Sequence, residues 1–232
     1  RVRNFKSLIL NKSIKHVAFI MDGNNRWSKK NNVNKYESYK KGANKLIEIT
    51  NFIFENYKIN YVSAFALSKH NFKRGSSLIN IIKNVLLDFL SSSKNPNSLK
   101  FNIQFKGNLN FLPNKLVKKI KILESNNIKS KQKLIIYLNY SGKDDILLAS
   151  KNLIKLNKFD HKNLQKSLLS GDIPDPEILI RTGGYKRISD FMLYQISFTE
   201  FFFTNKLWPN INKADIKIFF KQFNKIDRKF GN

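Results

Sequence analysis

His16-Val17-Ala18-Phe19-Ile20-Met21-Asp22-Gly23-Asn24-Asn25-Arg26-Trp27 is the stretch on which the reading of this chain turns. Val17 to Met21 is a short β-rich run, and it stops at Asp22-Gly23-Asn24-Asn25, a cluster of turn-forming residues. An acidic residue at the end of a buried strand can hold Mg²⁺, a hard ion that prefers carboxylate, water and phosphate oxygens. The glycine after it lets backbone N–H groups approach a diphosphate, and the Arg26 guanidinium can fork onto its oxygens. An ordinary turn with a helix-capping Asp explains the same residues, and on spacing alone that plainer reading prevails.

Outward from this stretch, short apolar runs alternate with longer segments of helical period. Leu46, Ile47, Ile49, Ile53 and Phe54 fall near 3.6-residue spacing and predict an amphipathic helix over Ser38 to Tyr57. Tyr61 to Leu67 reads as the next strand, Leu78 to Leu90 as a helix, Phe101 to Phe105 as a strand and Pro113 to Glu124 as a helix with proline in its first turn. Strands follow at Leu134 to Leu138, Glu177 to Arg181 and Phe201 to Phe203. Helices are expected near Asp144 to Leu156, Lys162 to Leu169 and Lys213 to Arg228. Six strands alternating with helices predict an α/β fold: a six-stranded, mainly parallel sheet flanked by helices. Composition does not change across the clearest loop, Gly171 to Pro176, so 1–232 reads as a single domain with residues 1–15 as an amino-terminal arm. In open α/β sheets ligands bind beyond the carboxyl ends of the strands, and the polar motifs sit just after strands 1, 2 and 5 and around strand 6.

Composition narrows the chemistry. There is no cysteine, which excludes disulfides, thiolate metal sites and a cysteine nucleophile. His16, His70 and His161 lie too far apart in sequence for a histidine zinc site. No apolar run approaches the roughly 18 residues of a membrane span, and the first 16 residues do not read as a signal peptide. The formal charge of +27 points toward nucleic acid or an anionic membrane. However, 36 of the 43 basic residues are lysines spread along the whole chain, and Asn, Ile and Phe are also abundant. An AT-rich genome imposes that joint excess through codon usage, so the charge says little about a nucleic-acid partner.

Arginine is the informative cation. Four of only seven arginines, Arg26, Arg74, Arg181 and Arg187, fall in the candidate motifs. In a chain drifting toward lysine, their retention marks places where a planar bidentate fork is needed. Arg181-Thr182-Gly183-Gly184-Tyr185-Lys186-Arg187-Ile188-Ser189 can wrap an anion with side chains and amides, although a solvated basic turn is the plainer alternative. Ser68, Asn71 and Arg74, after the second strand, add a hydroxyl, an amide and a guanidinium; His70 between them is given no role. Glu200, before Phe201-Phe202-Phe203, is one of six glutamates in the chain.

Taken in order, these blocks resemble the cis-prenyltransferase family, the relatives of undecaprenyl diphosphate synthase. The segment from His16 to Trp27 is similar to the family's opening signature, and Asn139-Tyr140-Ser141-Gly142 to an intermediate one. Ile180 to Gly184, Arg187 to Phe191, and Glu200 with Leu207-Trp208-Pro209 resemble its carboxy-terminal signatures. The resemblance runs from about His16 to Gly231 and implies an undecaprenyl diphosphate synthase-like fold. It implies an enzyme that joins isopentenyl diphosphate to an allylic diphosphate, farnesyl diphosphate as the default, with Mg²⁺ as cofactor. It assigns Asp22, Asn71 and Arg74 to catalysis, and Asp22 and Glu200 to the metal, with Glu200 reaching the partner subunit's site in a homodimer. Gly23, Asn24, Asn25, Arg26, Trp27, Lys35, Tyr39, Ser68, Phe72 and Arg74 fall to the allylic diphosphate, and Arg181, Arg187 and Ser189 to isopentenyl diphosphate. The growing chain is expected in an apolar tunnel between the sheet and the helices near residues 44–54 and 78–90. The implied product is a medium-chain polyprenyl diphosphate, such as the undecaprenyl carrier for cell-wall synthesis. The expected location is cytoplasmic, with peripheral contact at the inner membrane face, and no nucleic acid is expected.

The chain departs from the family pattern on the allylic side. Asn25 replaces a usual Gly, Lys35 an Arg, Tyr39 a His, and Lys69-His70-Asn71-Phe72 a typical Ser-Glu-Asn-Trp. Weaker or altered allylic binding, rather than inactivity, is the expectation. A non-catalytic subunit of a heteromeric prenyltransferase is the nearest rival, and intact Asp22 and Arg181-Thr182-Gly183 argue against it. A basic nucleic-acid-binding protein is more distant, because its lysines would concentrate on one surface.

Overall fold

Each of the six β-rich runs forms a strand in the computed structural model, which describes residues 14–72, 75–91 and 99–228. The order is β1 (His16–Ile20), α1 (Asn24–Lys30), α2 (Lys35–Asn56), β2 (Tyr61–Ser68), α3 (Lys69–Phe72), α4 (Ser76–Ser91) and β3 (Asn102–Gly107). It continues with α5 (Asn114–Ser125), β4 (Lys133–Tyr140), α6 (Gly142–Leu156), α7 (His161–Ser167), β5 (Ile178–Arg181), β6 (Glu200–Phe203), a 3-10 turn at Trp208–Asn210 and α8 (Lys213–Lys225). Arg74 and nearly all of the expected arm over 1–15 lie outside the described residues.

The strands pair in the order β3-β4-β2-β1-β5-β6, every pair parallel. All five residues of β1 are buried, as expected for a central parallel strand covered on both faces. Its alternate residues separate two cores. Val17 and Phe19 join the apolar faces of α2, α4, α5 and α8, while Ala18 and Ile20 meet Tyr137, Phe191 and Met192 on the other side. A register shift in β2 between Phe65 and Ser68 breaks this alternation at the strand's carboxyl end. Such bulges re-aim side chains, and Ser68 here lines the cleft described below.

His16 is wholly buried and ties three segments together. Its Nδ1 lies 2.6 Å from the Pro174 carbonyl, which can only accept, so Nδ1 carries the proton. Nε2 then accepts from the Ser63 hydroxyl at 2.8 Å. Burial pushes the imidazole down to about 4, so it stays neutral in the folded chain.

The last helix, expected to Arg228, ends at Lys225, and two starts that bear on the site differ from the sequence reading. The expected turn over Asp22 to Asn25 is the entrance to a helix, with Gly23 rather than Asp22 at its amino-terminal cap. The helix expected from Ser38 begins at Lys35, because the Asn34 side chain accepts from the Glu37 amide at 2.9 Å and caps it.

Candidate active site

β1 lies between β2 and β5, at the point where the order of strands along the sheet reverses. The loops leaving the carboxyl ends of neighbouring strands part at such a point and leave a crevice. A cleft of about 500 Å³ opens there.

Asp22 forms its floor. The main chain fixes it: the Asp22 carbonyl accepts from the Thr182 hydroxyl at 2.7 Å and from the Trp208 amide at 3.0 Å. Its carboxylate accepts from Arg181 Nη2 at 2.9 Å and from Arg26 Nη2 at 3.3 Å. Arg181 Nη1 donates to Ser189 Oγ at 2.7 Å and to the Arg187 carbonyl. The Arg181 side chain is only 4% exposed and its Nε is buried without a partner, the kind of cost that calls for a functional explanation. Close approach explains the glycines. Gly23 sits at φ +117°, where a Cβ would fall 2.9 Å from Leu207 Cα; one on Gly183, at φ +82°, would fall 2.5 Å from Arg26 Nη2.

Of the residues singled out from the sequence, twelve line this cleft: Asp22, Gly23, Asn24, Asn25, Arg26, Lys35, Tyr39, Ser68, Asn71, Arg181, Arg187 and Ser189. Asp22 is the one carboxylate among the described lining residues, against Arg26, Lys35, Arg181 and Arg187. That imbalance suits a multiply charged anion. Ser68 Oγ accepts from the Asn71 amide at 3.1 Å, which fixes both at the cleft wall.

Three others are elsewhere. Trp27 is buried and donates through Nε1 to Asn210 Oδ1 at 2.8 Å. Phe72 packs edge-on against Phe111 with centroids 5.2 Å apart. Glu200 opens β6 opposite Ile178, whereas Arg181 pairs with Phe203, so Glu200 stands about 10 Å back along the sheet at the 3.3 Å rise of a parallel strand. It lies 3.5 Å from Arg228 Nε, and within one chain it does not join Asp22. Lys69 and His70 pair with Asp144 and with Asp190, the latter at 3.6 Å.

No cluster of three or more metal-ligating side chains occurs among the described residues. Mg²⁺ does not require one: it keeps several waters and is commonly held by one or two carboxylates plus substrate phosphates. A single carboxylate, 29% exposed on the floor of a cationic cleft, fits an ion shared with a bound diphosphate.

Beside the polar cleft lies an apolar cavity of about 90 Å³ between the sheet, α2 and α4. Ala43, Leu46 and Ile47 face Ile82, Val85, Leu86 and Phe89 across it, with Ile136, Leu138 and Trp208 also lining it. Met21, Asn24, Tyr39 and Ala66 line both spaces, so the two adjoin. Tyr36 and Lys40 on α2 both donate to Asp88 on α4, and those bonds, Tyr36 first, hold the Asp88 carboxyl below its usual range.

Sequence reasoning gave no role to Tyr185, Thr182 or Leu207. Thr182 and Tyr185 stood inside the quoted glycine-arginine motif, and an aromatic ring set among arginines was the available signal. Nothing local in sequence tells that Leu207 closes on Gly23.

The chain is similar to known proteins over nearly its whole length. Residues 20–231 match the family profile described as “Putative undecaprenyl diphosphate synthase”. An isoprenyl transferase of Rickettsia typhi is 36% identical over 225 residues, spanning 94% of this chain and 98% of its own. The tritrans,polycis-undecaprenyl-diphosphate synthase (geranylgeranyl-diphosphate specific) of Pyrobaculum aerophilum is 34% identical, with 93% of this chain and 95% of that one covered. Among solved structures, lavandulyl diphosphate synthase from Lavandula x intermedia, in complex with dimethylallyl diphosphate, aligns with a TM-score of 0.85 at 27% identity, over 94% of this chain and 98% of that chain.

Proposed function

The chain belongs to the undecaprenyl diphosphate synthase family of isoprenyl transferases, and on that premise we propose that it condenses isopentenyl diphosphate with an allylic diphosphate in the cleft beyond β1, β2 and β5. The observation that carries the reading is the adjoining of a cationic cleft and an apolar cavity, which suits a substrate with a diphosphate head and a hydrocarbon tail.

Asn24, Asn25 and Arg26 receive the allylic diphosphate, using side chains together with the first amides of α1, which lack partners within the helix. Lys35, Tyr39 and Ser68 complete that side. Arg181, Arg187 and Ser189 grip the diphosphate of isopentenyl diphosphate, and the Arg181–Asp22 contact at 2.9 Å keeps the two sites adjacent. The allylic carbon–oxygen bond breaks and its electron pair leaves with the diphosphate. The double bond of isopentenyl diphosphate supplies the pair for the new carbon–carbon bond, and loss of a proton restores a double bond in the cis geometry. Fixed cations aimed at the departing diphosphate stabilise the charge that builds on it, and they need no reorganisation to do so. Asp22 would hold Mg²⁺ jointly with diphosphate oxygens, the ion supplying further neutralisation of that charge. Asn71, at the cleft wall beside Ser68, orients the substrates. Arg74, outside the described residues, is assigned here by resemblance alone.

The default primer is farnesyl diphosphate and the default product a medium-chain polyprenyl diphosphate, in a bacterium the undecaprenyl carrier of cell-wall precursors. A homodimer is the proposed assembly. The exposed Phe198 and Phe201 beside and on the edge strand β6 support it, and Glu200 on that strand would serve the second subunit's cleft. No described helix is long and apolar enough to cross a membrane, so contact with the inner face is proposed as peripheral.

The test is incorporation of labelled isopentenyl diphosphate into extractable lipid, with Mg²⁺ and with dimethylallyl, geranyl, farnesyl or geranylgeranyl diphosphate as primer. Metal-dependent polyprenyl products are expected. No product with any primer would overturn the reading in favour of a non-catalytic subunit, to be checked by restoring activity with a partner chain.

A further inference from the structure

Arg26, Arg181 and Arg187 come from α1, from the end of β5 and from the loop after it, and like charges so gathered repel. Asp22 offsets part of this through Arg26 and Arg181. A second group lies within reach of all three. The Tyr185 ring centroid lies 4.2 Å from the Arg187 guanidinium carbon, 5.1 Å from that of Arg26 and 5.8 Å from that of Arg181. All three distances fall within the roughly 6 Å over which a ring quadrupole attracts a cation. The backbone leading into the half-exposed ring is anchored. Gly183 and Gly184 both take positive φ, and their amides donate to the Lys206 and Thr204 carbonyls at 2.8 and 2.9 Å, pinning the turn to the segment that leaves β6.

We propose that Tyr185 is a positioning residue. Its ring gathers the three guanidinium groups into one preorganised cluster and so links the allylic and isopentenyl diphosphate subsites. The assignment rests on the reading of the cleft given above. A neutral ring suits this task better than another carboxylate, because it attracts cations without adding a charge that would repel an incoming diphosphate. The hydroxyl takes no part in this, and the ring face alone holds the cations.

The test compares Tyr185→Leu and Tyr185→Phe in the full chain. Calorimetric titration with inorganic pyrophosphate in Mg²⁺ gives the affinity of the cluster directly, and steady-state kinetics gives KM for each diphosphate separately. Losing the ring from all three guanidinium groups predicts a pyrophosphate affinity weaker by roughly tenfold or more for the leucine variant. KM for both diphosphates should rise in parallel by a similar factor with kcat held within about twofold, and the phenylalanine variant should restore the wild-type values. Leucine behaving as wild type would overturn the proposal. So would phenylalanine failing as leucine does, which assigns the effect to the hydroxyl, or a KM rise confined to one substrate, which removes the link. Wild-type protein that bound no pyrophosphate would instead overturn the reading of the cleft, and the proposal with it. An unchanged unfolding midpoint in both variants separates these outcomes from misfolding.

Discussion

Arg181 donates from one terminal nitrogen to Asp22 and from the other to Ser189 and the Arg187 carbonyl, so three segments of chain converge on one planar side chain. Lysine has the charge but not the fork. Arg181→Lys is therefore expected to lower kcat/KM for isopentenyl diphosphate about 10- to 100-fold, the loss that corresponds to one or two charge-assisted hydrogen bonds. Steady-state kinetics checks it, and a change under threefold would deny the fork its role. At this scale the sequence was legible where composition worked against the residue: arginine kept amid lysine pointed to Arg26, Arg181 and Arg187, and all three reach the cleft. It was misleading where a residue's place depends on distant packing. Trp27 and Phe72 sit in the signatures but turn to Asn210 and Phe111, partners far away in sequence.

One of the two helices that wall the apolar cavity, α2, meets α1 and the 3-10 turn at a small residue. Trp208 donates through Nε1 to the Gly42 carbonyl at 2.8 Å, and a Cβ on Gly42 would fall 2.4 Å from Asn24 Oδ1 and 3.2 Å from Trp208 Cδ1. Gly42→Ala must turn the Asn24 side chain aside and crowd the Trp208 ring, at a cost of about 1 kcal/mol for overpacking. Denaturant unfolding should show that loss, accompanied by weaker allylic-substrate binding because Asn24 stands at the cleft. Stability unchanged within about 0.5 kcal/mol would contradict the packing described. Periodicity disclosed α6, and it disclosed α2, α4, α5 and α8, whose apolar faces build the larger core, but it did not disclose α1. That helix has seven residues and no side-chain cap, and its first residues are turn formers in any local reading. The early start of α2 was available in principle, since Asn34 followed by Glu37 is a recognisable amino-terminal pattern.

Across the whole molecule, the parallel order of strands could be inferred from the alternation of β-rich and helical segments. The place where that order reverses could not, because register and neighbours are set by tertiary pairing. The fold also carries a pH signature away from the cleft. His16 is held near 4 when folded against 6.5 unfolded, so between those values the unfolded chain binds more protons and stability falls as pH falls. The full effect approaches roughly 3 kcal/mol near pH 4. Asp175, raised to about 6 by desolvation and by Glu177, acts with the opposite sign, since its contribution is lost as pH rises through 6. Its side chain is exposed and its effect correspondingly screened. Urea unfolding across pH 4–7 should thus show declining stability toward acid, more steeply in Asp175→Asn; a flat profile in both would contradict the buried neutral imidazole. The central claim, that the crevice beside β1 is where the diphosphates react, is tested most directly at Asp22. Wild type and Asp22→Ala would be compared for Mg²⁺-dependent incorporation of labelled isopentenyl diphosphate onto an allylic primer, with matched unfolding midpoints. The account predicts polyprenyl products from wild type and a loss of at least about 100-fold in the variant, the scale seen when an electrostatic group at a reacting centre is removed. Incorporation by Asp22→Ala within a few-fold of wild type would place the chemistry somewhere other than this cleft.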